Sequence, residues 1–252
     1  MPRLLFLLAL LALAAGCKKE TSSSSPAPAP AADVPPVVAP GEKAGPLELK
    51  GIKPHSSTYA HTGLSPTEIA KVALMHQARG EYAEALKVLD EGIALNPDSA
   101  ALYAVRGALY LELGEYAKAI ADLSKSLELR EDAGVLVNRA LAYKAFGQRE
   151  DALKDLNRAL ELDPHQVAAW FNRGTLYLEA GELEKALADL DRATQLAPEV
   201  AGPYFNRAVA KWELGKKEEA IADLERFIEL AEPEEWKETA RNLLKEWQGE
   251  AR

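Results

Sequence analysis

An all-α array of helix pairs, stacked one on the next and closed by a final helix, is the fold class that three features of the sequence predict. Gly80, Gly114, Gly147, Gly181 and Gly215 recur at spacings of 34, 33, 34 and 34 residues, and a fixed period of that length marks one supersecondary unit copied many times. Within each copy small residues stand at fixed offsets, so that two antiparallel helices can approach closely, and the glycine between them accepts backbone angles that a residue with a Cβ resists. Beyond the last copy, Trp236, Ala240, Leu243, Leu244 and Trp247 recur at i, i+4, i+7, i+8 and i+11, the stripe of a helix with one apolar side.

Residues 1–16 read as a leader. Arg3 supplies a positive start, residues 4–14 form an apolar run too short to span a bilayer, and Ala14, Ala15 and Gly16 precede the single cysteine, Cys17. This arrangement resembles the lipobox of bacterial lipoproteins, in which signal peptidase cuts before the cysteine and the thiol carries lipid, palmitate among the acyl chains. In that family leucine more often stands three places before the cysteine, whereas Leu13 stands one place earlier. An ordinary secretory peptide is the alternative. Lys18 follows the cysteine where aspartate would favour inner-membrane retention, so the resemblance implies the outer membrane, facing the periplasm. An acylated Cys17 leaves no thiol for a disulfide, and the fold must rely on packing.

Residues 17–64 are rich in Ser, Pro and Ala and include SSSSPAPAPAA and VPPVVAPGEKAGP. Such a segment buries too little apolar surface to offset its ordering entropy, which predicts a disordered tether. As a flexible chain of about 45 residues it would span roughly 40 Å. His55 and His61 lie in it without a third ligand, so no metal is expected there. Ser65-Pro66-Thr67-Glu68 then opens the first helix with a capping box, which sets the domain boundary near residue 64.

Residues 65–233 divide into five units, 66–99, 100–132, 133–166, 167–200 and 201–233. In the fourth, Trp170, Gly174, Tyr177, Gly181, Ala186, Leu190, Ala193 and Pro198 occupy positions 4, 8, 11, 15, 20, 24, 27 and 32. Pro198 ends the second helix, having no N–H to donate and a ring that collides with the preceding turn. The pattern resembles the tetratricopeptide repeat. That resemblance implies a right-handed α-solenoid of five helix pairs, with residues 234–252 as a C-terminal capping helix that turns Glu235, Lys237, Glu238 and Lys245 to water; a partner-binding helix is the other reading of the same stripe. The first unit is the loosest match, with Ile69, Ala73 and His76 at positions 4, 8 and 11, as a terminal repeat packing on one neighbour allows. Between the second and third units Arg130-Glu131-Asp132 replaces the proline turn and one residue is missing, so an irregularity is expected there.

Two positions change together. Position 7 is Arg106, Arg139, Arg173 and Arg207 in units two to five, position 23 is Asp122, Asp155, Asp189 and Asp223, and in unit one the same two positions are Val72 and Val88. This covariation within one chain predicts a ladder of Arg–Asp bridges, each Arg offering its planar fork to a carboxylate, with a structural rather than catalytic role. Charges inherited by repeat duplication are the alternative.

The resemblance implies that the first helices line a concave groove through positions 2, 5, 9, 12 and 13. Positions 5, 9 and 12 are Val137, Leu141 and Lys144, then Phe171, Thr175 and Leu178, then Phe205, Val209 and Trp212, with Asn138, Asn172 and Asn206 beside them at position 6. An apolar trough flanked by amides suits an extended or helical protein segment. Phe171, Phe205 and Trp212 are the candidate anchors, unless they pack within the array. A carboxylate clamp is poorly matched, since its lysine positions hold Val137, Phe171 or small residues.

Formal charge is −9, with no basic cluster larger than a lysine pair such as Lys18-Lys19, which argues against nucleic acid and anionic membrane surfaces as partners. His76 and His165 have no Ser, Cys or carboxylate at a catalytic spacing and no Gly-rich phosphate loop occurs, so neither an enzyme nor a cofactor is expected. The function expected is an interaction scaffold in the bacterial envelope that binds another envelope protein or peptide segment, with a pilotin-like assembly lipoprotein as the alternative and self-association as a variant.

Overall fold

The computed structural model describes residues 63–250, and the leader, Cys17 and the tether up to residue 62 lie outside them. Eleven helices occupy the described residues: α1 Pro66–Ala78, α2 Tyr82–Leu95, α3 Ala100–Glu112, α4 Tyr116–Leu129, α5 Ala133–Ala145, α6 Arg149–Leu162, α7 Val167–Glu179, α8 Leu183–Leu196, α9 Ala201–Glu213, α10 Lys217–Leu230 and α11 Glu234–Glu250. They fall into two compact units divided after Gln166. In residues 63–166 the pairs α1/α2, α3/α4 and α5/α6 pack within themselves, α2 meets α3, α4 meets α5, and α3 also meets α1 and α5. In residues 167–250 the pairs are α7/α8 and α9/α10, α8 and α7 both meet α9, and α11 lies on α10.

Each turn inside a pair is the same local solution. Gly80, Gly114, Gly147, Gly181 and Gly215 have φ between 72° and 85°, the left-handed region where a Cβ is costly. The next residue then reaches back to the last turn of the helix, as Glu81 N does to His76 O at 2.9 Å and Lys216 N to Lys211 O at 2.9 Å. Such a closure satisfies carbonyls that the helix end leaves unpaired. At the entrance to α1, Ser65 Oγ accepts from Glu68 N at 3.3 Å and Ser65 N donates to Glu68 at 2.8 Å; the bonds from Ser65 hold the Glu68 carboxyl below its ordinary pKa.

Close approach of the paired helices defines the interior. Leu89, Leu123, Leu156, Leu190 and Leu224 at position 24 are at most 1% exposed, and each contributes about 1.5–3 kcal/mol by its burial. They fit because position 20 is alanine throughout, fully buried in all five copies, and position 8 is small. A Cβ added to Gly107 would come within 2.7 Å of Leu123 Cγ, and one on Gly174 within 2.9 Å of Leu190 Cγ. In neither pair can the helices stay at this separation with a larger residue at position 8.

The link of Arg130-Glu131-Asp132 has its own chemistry. Asp132 takes over the N-cap of α5, its Oδ1 accepting from Val135 N at 3.1 Å. Glu131 receives the Arg158 fork at 2.6 and 2.8 Å, and that bond lowers its carboxyl pKa. One local cap and one contact to the following helix pair's second helix therefore serve where the other links use a proline turn.

Charged groups are built into the packed layer. The Arg106 fork donates from Nε and Nη2 to Asp122 at 2.6 and 2.9 Å, that of Arg139 to Asp155 at 2.7 and 2.7 Å, that of Arg173 to Asp189 at 2.7 and 2.8 Å, and that of Arg207 to Asp223 at 2.7 and 2.6 Å. The aspartate side chains are only 6–11% exposed. Around Arg106, Arg139 and Arg173 the bonds to aspartate hold the guanidinium pKa above its ordinary value. At Arg207 burial is the largest influence and opposes the charge, yet Asp223 and Asp191 carry the pKa above that value too. An aromatic ring lies against each fork, with Arg centroid distances of 5.7 Å at Tyr103, 5.6 Å at Tyr143, 4.9 Å at Trp170 and 5.3 Å at Tyr204.

The forks of Arg106, Arg139 and Arg207 reach a third partner that the sequence pattern did not disclose. Arg106 Nη1 donates to Asp90 at 2.6 Å, Arg139 Nη1 to Ser124 at 3.0 Å and Arg207 Nη1 to Asp191 at 2.9 Å. All three partners stand at position 25 of the preceding pair, so these arginines join three helices across two copies. Asp223 in turn also accepts from Lys211 Nζ at 2.8 Å. The Arg139–Asp155 pair offers the cleanest test, because the third partner there is neutral. Arg139→Met and Asp155→Leu are each expected to cost about 3–5 kcal/mol in urea unfolding, since each strands a buried charge, and the double variant is expected to lose much less than their sum. Small, additive losses would show that the bridges do not act as pairs.

Candidate partner-binding surface

All eight positions expected to line a groove lie on first helices of their pairs: Asn138 and Lys144 on α5, Phe171, Asn172 and Thr175 on α7, and Phe205, Asn206 and Trp212 on α9. In residues 63–166, Asn138 and Lys144 are half-buried, while their neighbour Val137 is 2% exposed and belongs to the interior.

In residues 167–250 the three aromatic candidates differ. Phe205 is 8% exposed, with its ring centroid 5.1 Å from that of Phe227 at a tilt of 57°. Trp212 is stacked on Trp247 of α11, centroids 4.4 Å and planes 5° apart, with Lys217 Nζ 5.1 Å from its centroid. Phe171 alone is half-buried without a ring partner of this kind, and it lies over the first turn of α9, where a Cβ on Gly202 would stand 3.3 Å from its ring. Phe205 and Trp212 are thus engaged by their own unit, the arrangement that internal packing of these aromatics predicts. The signal was present in the sequence: position 27 is Gly92, Ser126, Ala159 and Ala193 in four copies and Phe227 in the fifth.

The polar candidates are held by hydrogen bonds of fixed direction. Asn172, 5% exposed, donates from Nδ2 to Ala168 O at 2.8 Å. Thr175 Oγ1 donates to Phe171 O at 2.9 Å and accepts from Asn206 Nδ2 at 2.9 Å. Among the described residues there is no group of His, Cys, Asp and Glu that could hold a metal ion, and no helix long and apolar enough to cross a membrane. His76 Nδ1 lies 2.6 Å from Glu81 Oε2, closing the turn between α1 and α2.

Family models described as tetratricopeptide repeat match residues 176–245, 137–201 and 100–132, and one described as TPR repeat matches residues 75–114. Tetratricopeptide repeat protein 6 of Homo sapiens is 31% identical over 96 residues, which make up 38% of this chain and 18% of that protein. The curated relatives are far longer than the part they share with this chain. Among solved structures, YrrB, a TPR protein with an unusual peptide-binding site, aligns with a TM-score of 0.57 at 22% identity, over 72% of this chain and 92% of its own. PilF of Pseudomonas aeruginosa aligns with a TM-score of 0.63 at 18% identity, over 67% and 77%.

The contact between Trp212 and Trp247 makes α11 an integral cover of the last pair. Trp247→Ala is expected to lower unfolding stability by about 3–5 kcal/mol, with a smaller loss for the half-buried Trp212→Ala, both read from urea midpoints and near-ultraviolet dichroism. An unchanged midpoint for Trp247→Ala would mean that α11 does not close this end.

Proposed function

Because this chain belongs to the tetratricopeptide-repeat family, we propose that it is a non-enzymatic interaction scaffold of the bacterial envelope, anchored through lipid on Cys17 in the outer membrane and facing the periplasm. The fold itself supports a protein-interaction scaffold, and proteins built from these repeats are generally non-catalytic. One observation carries the finer reading: an apolar N-terminal run followed by Ala14-Ala15-Gly16-Cys17, and then a Ser/Pro/Ala-rich stretch, precede an array of helix pairs in a single chain. The lipid holds the array at a membrane, the tether keeps it off the surface, and the first helices of the pairs present the residues that grip a partner.

The occupant in this proposal is a segment of another envelope protein, laid along the first helices of residues 167–250 and anchored at Phe171, with Asn172, Thr175 and Asn206 as its polar contacts. Phe205 and Trp212 support that surface from beneath rather than anchoring the partner directly. A pilotin-like lipoprotein that escorts an outer-membrane machine starts from the same anchor and the same scaffold; the likeness to PilF speaks for the fold alone at 18% identity.

Two outcomes are expected. Cys17→Ser abolishes incorporation of a radiolabelled fatty acid and moves the protein from the membrane fraction to the soluble one; continued labelling would place the lipid elsewhere or nowhere. Cross-linking of the intact lipoprotein in its native envelope captures a protein by mass spectrometry, and Phe171→Ala weakens that capture about tenfold or more, as loss of an aromatic anchor does. Capture that Phe171→Ala leaves unchanged would put the binding surface on another face.

A further inference from the structure

Within each compact unit, a side-chain hydrogen bond or ion pair ties every pair of successive helices but one. In residues 63–166, His76 of α1 meets Glu81 at the start of α2, and Arg106 of α3 meets Asp90 of α2 and Asp122 of α4. Arg139 of α5 meets Ser124 of α4 and Asp155 of α6. In residues 167–250, Arg173 of α7 meets Asp189 of α8, and Arg207 of α9 meets Asp191 of α8 and Asp223 of α10. The contact of α10 with α11 has no such tie. Among the described residues 234–249, the side-chain bonds of α11 stay within the helix: Thr239 Oγ1 donates to Glu235 O at 3.1 Å, and Arg241 and Lys237 pair with Glu234 at 2.6 and 3.5 Å.

Apolar contact is what holds α11. Ala240, Leu243 and Trp247 are buried in the cluster that also contains Leu224 and Phe227, while Trp236 and Leu244 lie half-buried against it. The Trp247 ring stacks on Trp212 with centroids 4.4 Å apart. Burial of this kind is non-directional, so it binds the helix without specifying the chain it comes from. The link to α11 is short and lies outside the packing. Beyond the buried Ala231, which leaves α10 with extended backbone at φ −67° and ψ 146°, it consists of the exposed Glu232 and Pro233.

We propose that α11 is exchanged between two copies of this chain, each copy's α11 lying on the α9/α10 pair of the other. Fit decides the occupant. The helix seated there presents Trp236, Ala240, Leu243, Leu244 and Trp247 on one side, and a second copy brings the same residues to the same contacts. Release breaks none of the side-chain bonds described above, and the pairs at Glu234 travel with the helix. Closed and exchanged forms therefore differ only in the link and in the entropy of association, so protein concentration decides between them. The interface does not depend on what the first helices bind.

Stacked indoles give an exciton couplet in far-ultraviolet dichroism, which reports the contact of Trp212 with Trp247. In the full chain, Trp212→Phe and Trp247→Phe each keep an aromatic ring in place, so both variants are expected to fold and each alone to lack the couplet. The two are mixed in equal parts at about 1 mM, the order of effective concentration that a short link gives a copy's own helix. The mixture is expected to regain up to about a quarter of the native couplet, because half of randomly paired dimers hold both variants and one seat in each then joins two tryptophans. Dilution is expected to reverse the gain. A mixture that regains nothing overturns the proposal and keeps α11 on its own copy. A native couplet lost on adding envelope proteins, with none regained between the variants, overturns it as well and gives the seat to another protein's helix.

Discussion

Leu89, Leu123, Leu156, Leu190 and Leu224 are each wedged between the two helices of a pair, against a position-20 alanine that is itself fully buried. That wedge fixes how near the helices come, and the remaining features of the interior are consequences of the distance. With the helices this close, position 8 must be small, and at Gly107 and Gly174 even a methyl group meets a leucine carbon. With the helices antiparallel as well, the chain has to reverse within three residues, which is why every pair turns on a glycine with positive φ. A single pair bound by one such leucine leaves most of its apolar surface open. Copies therefore bury one another, and no pair is a domain in its own right.

Ion pairs inside this layer serve a different end from the leucines. Two charges taken from water recover little net energy, and well-packed apolar residues of the same volume often do as well. What an apolar pair cannot do is specify which neighbour it meets. The Arg106 fork is satisfied only when Asp122 stands opposite and Asp90 stands on the preceding pair, and the Arg207 fork has the same requirement of Asp223 and Asp191. A slip between copies would keep the leucines buried and leave these arginines unpaired. The charges thus set register, while the leucines supply the cohesion. Unit one has no preceding copy to register against, and it carries Val72 and Val88 at the same positions.

Much of this was legible in the sequence because repetition acts as a control experiment within one chain. Five glycines in register gave the helix pairs, and arginine and aspartate changing to valine together gave a contact that a single copy could never have revealed. The third partner at position 25 was hidden, since Asp90, Ser124 and Asp191 differ in type and share only the ability to accept a hydrogen bond. The cover on Trp212 was hidden for another reason. Trp247 lies outside the repeat, where there is no second copy to compare. Amide direction is the least legible of all: Asn172 and Asn206 are the same residue at the same position, and only the carbonyl of Ala168 and the hydroxyl of Thr175 decide which atom each turns outward.

Positions in this chain divide by whether they vary between copies, and the division follows the physics. Positions 7, 20, 23 and 24 face other helices and hold arginine, alanine, aspartate and leucine through units two to five, because the packing inside each pair is the same. Positions 5, 9 and 12 read Val137, Leu141 and Lys144 in one copy, Phe171, Thr175 and Leu178 in the next, and Phe205, Val209 and Trp212 in the last. Duplication supplies the frame, and these positions are free to differ from copy to copy even where they are buried, as Val137, Leu178, Phe205 and Val209 are. The fifth copy shows the limit of that freedom. Its position 27 carries Phe227 against Phe205, and its Trp212 is given over to Trp247, so aromatic surface that another pair could offer to a partner is used here to end the array.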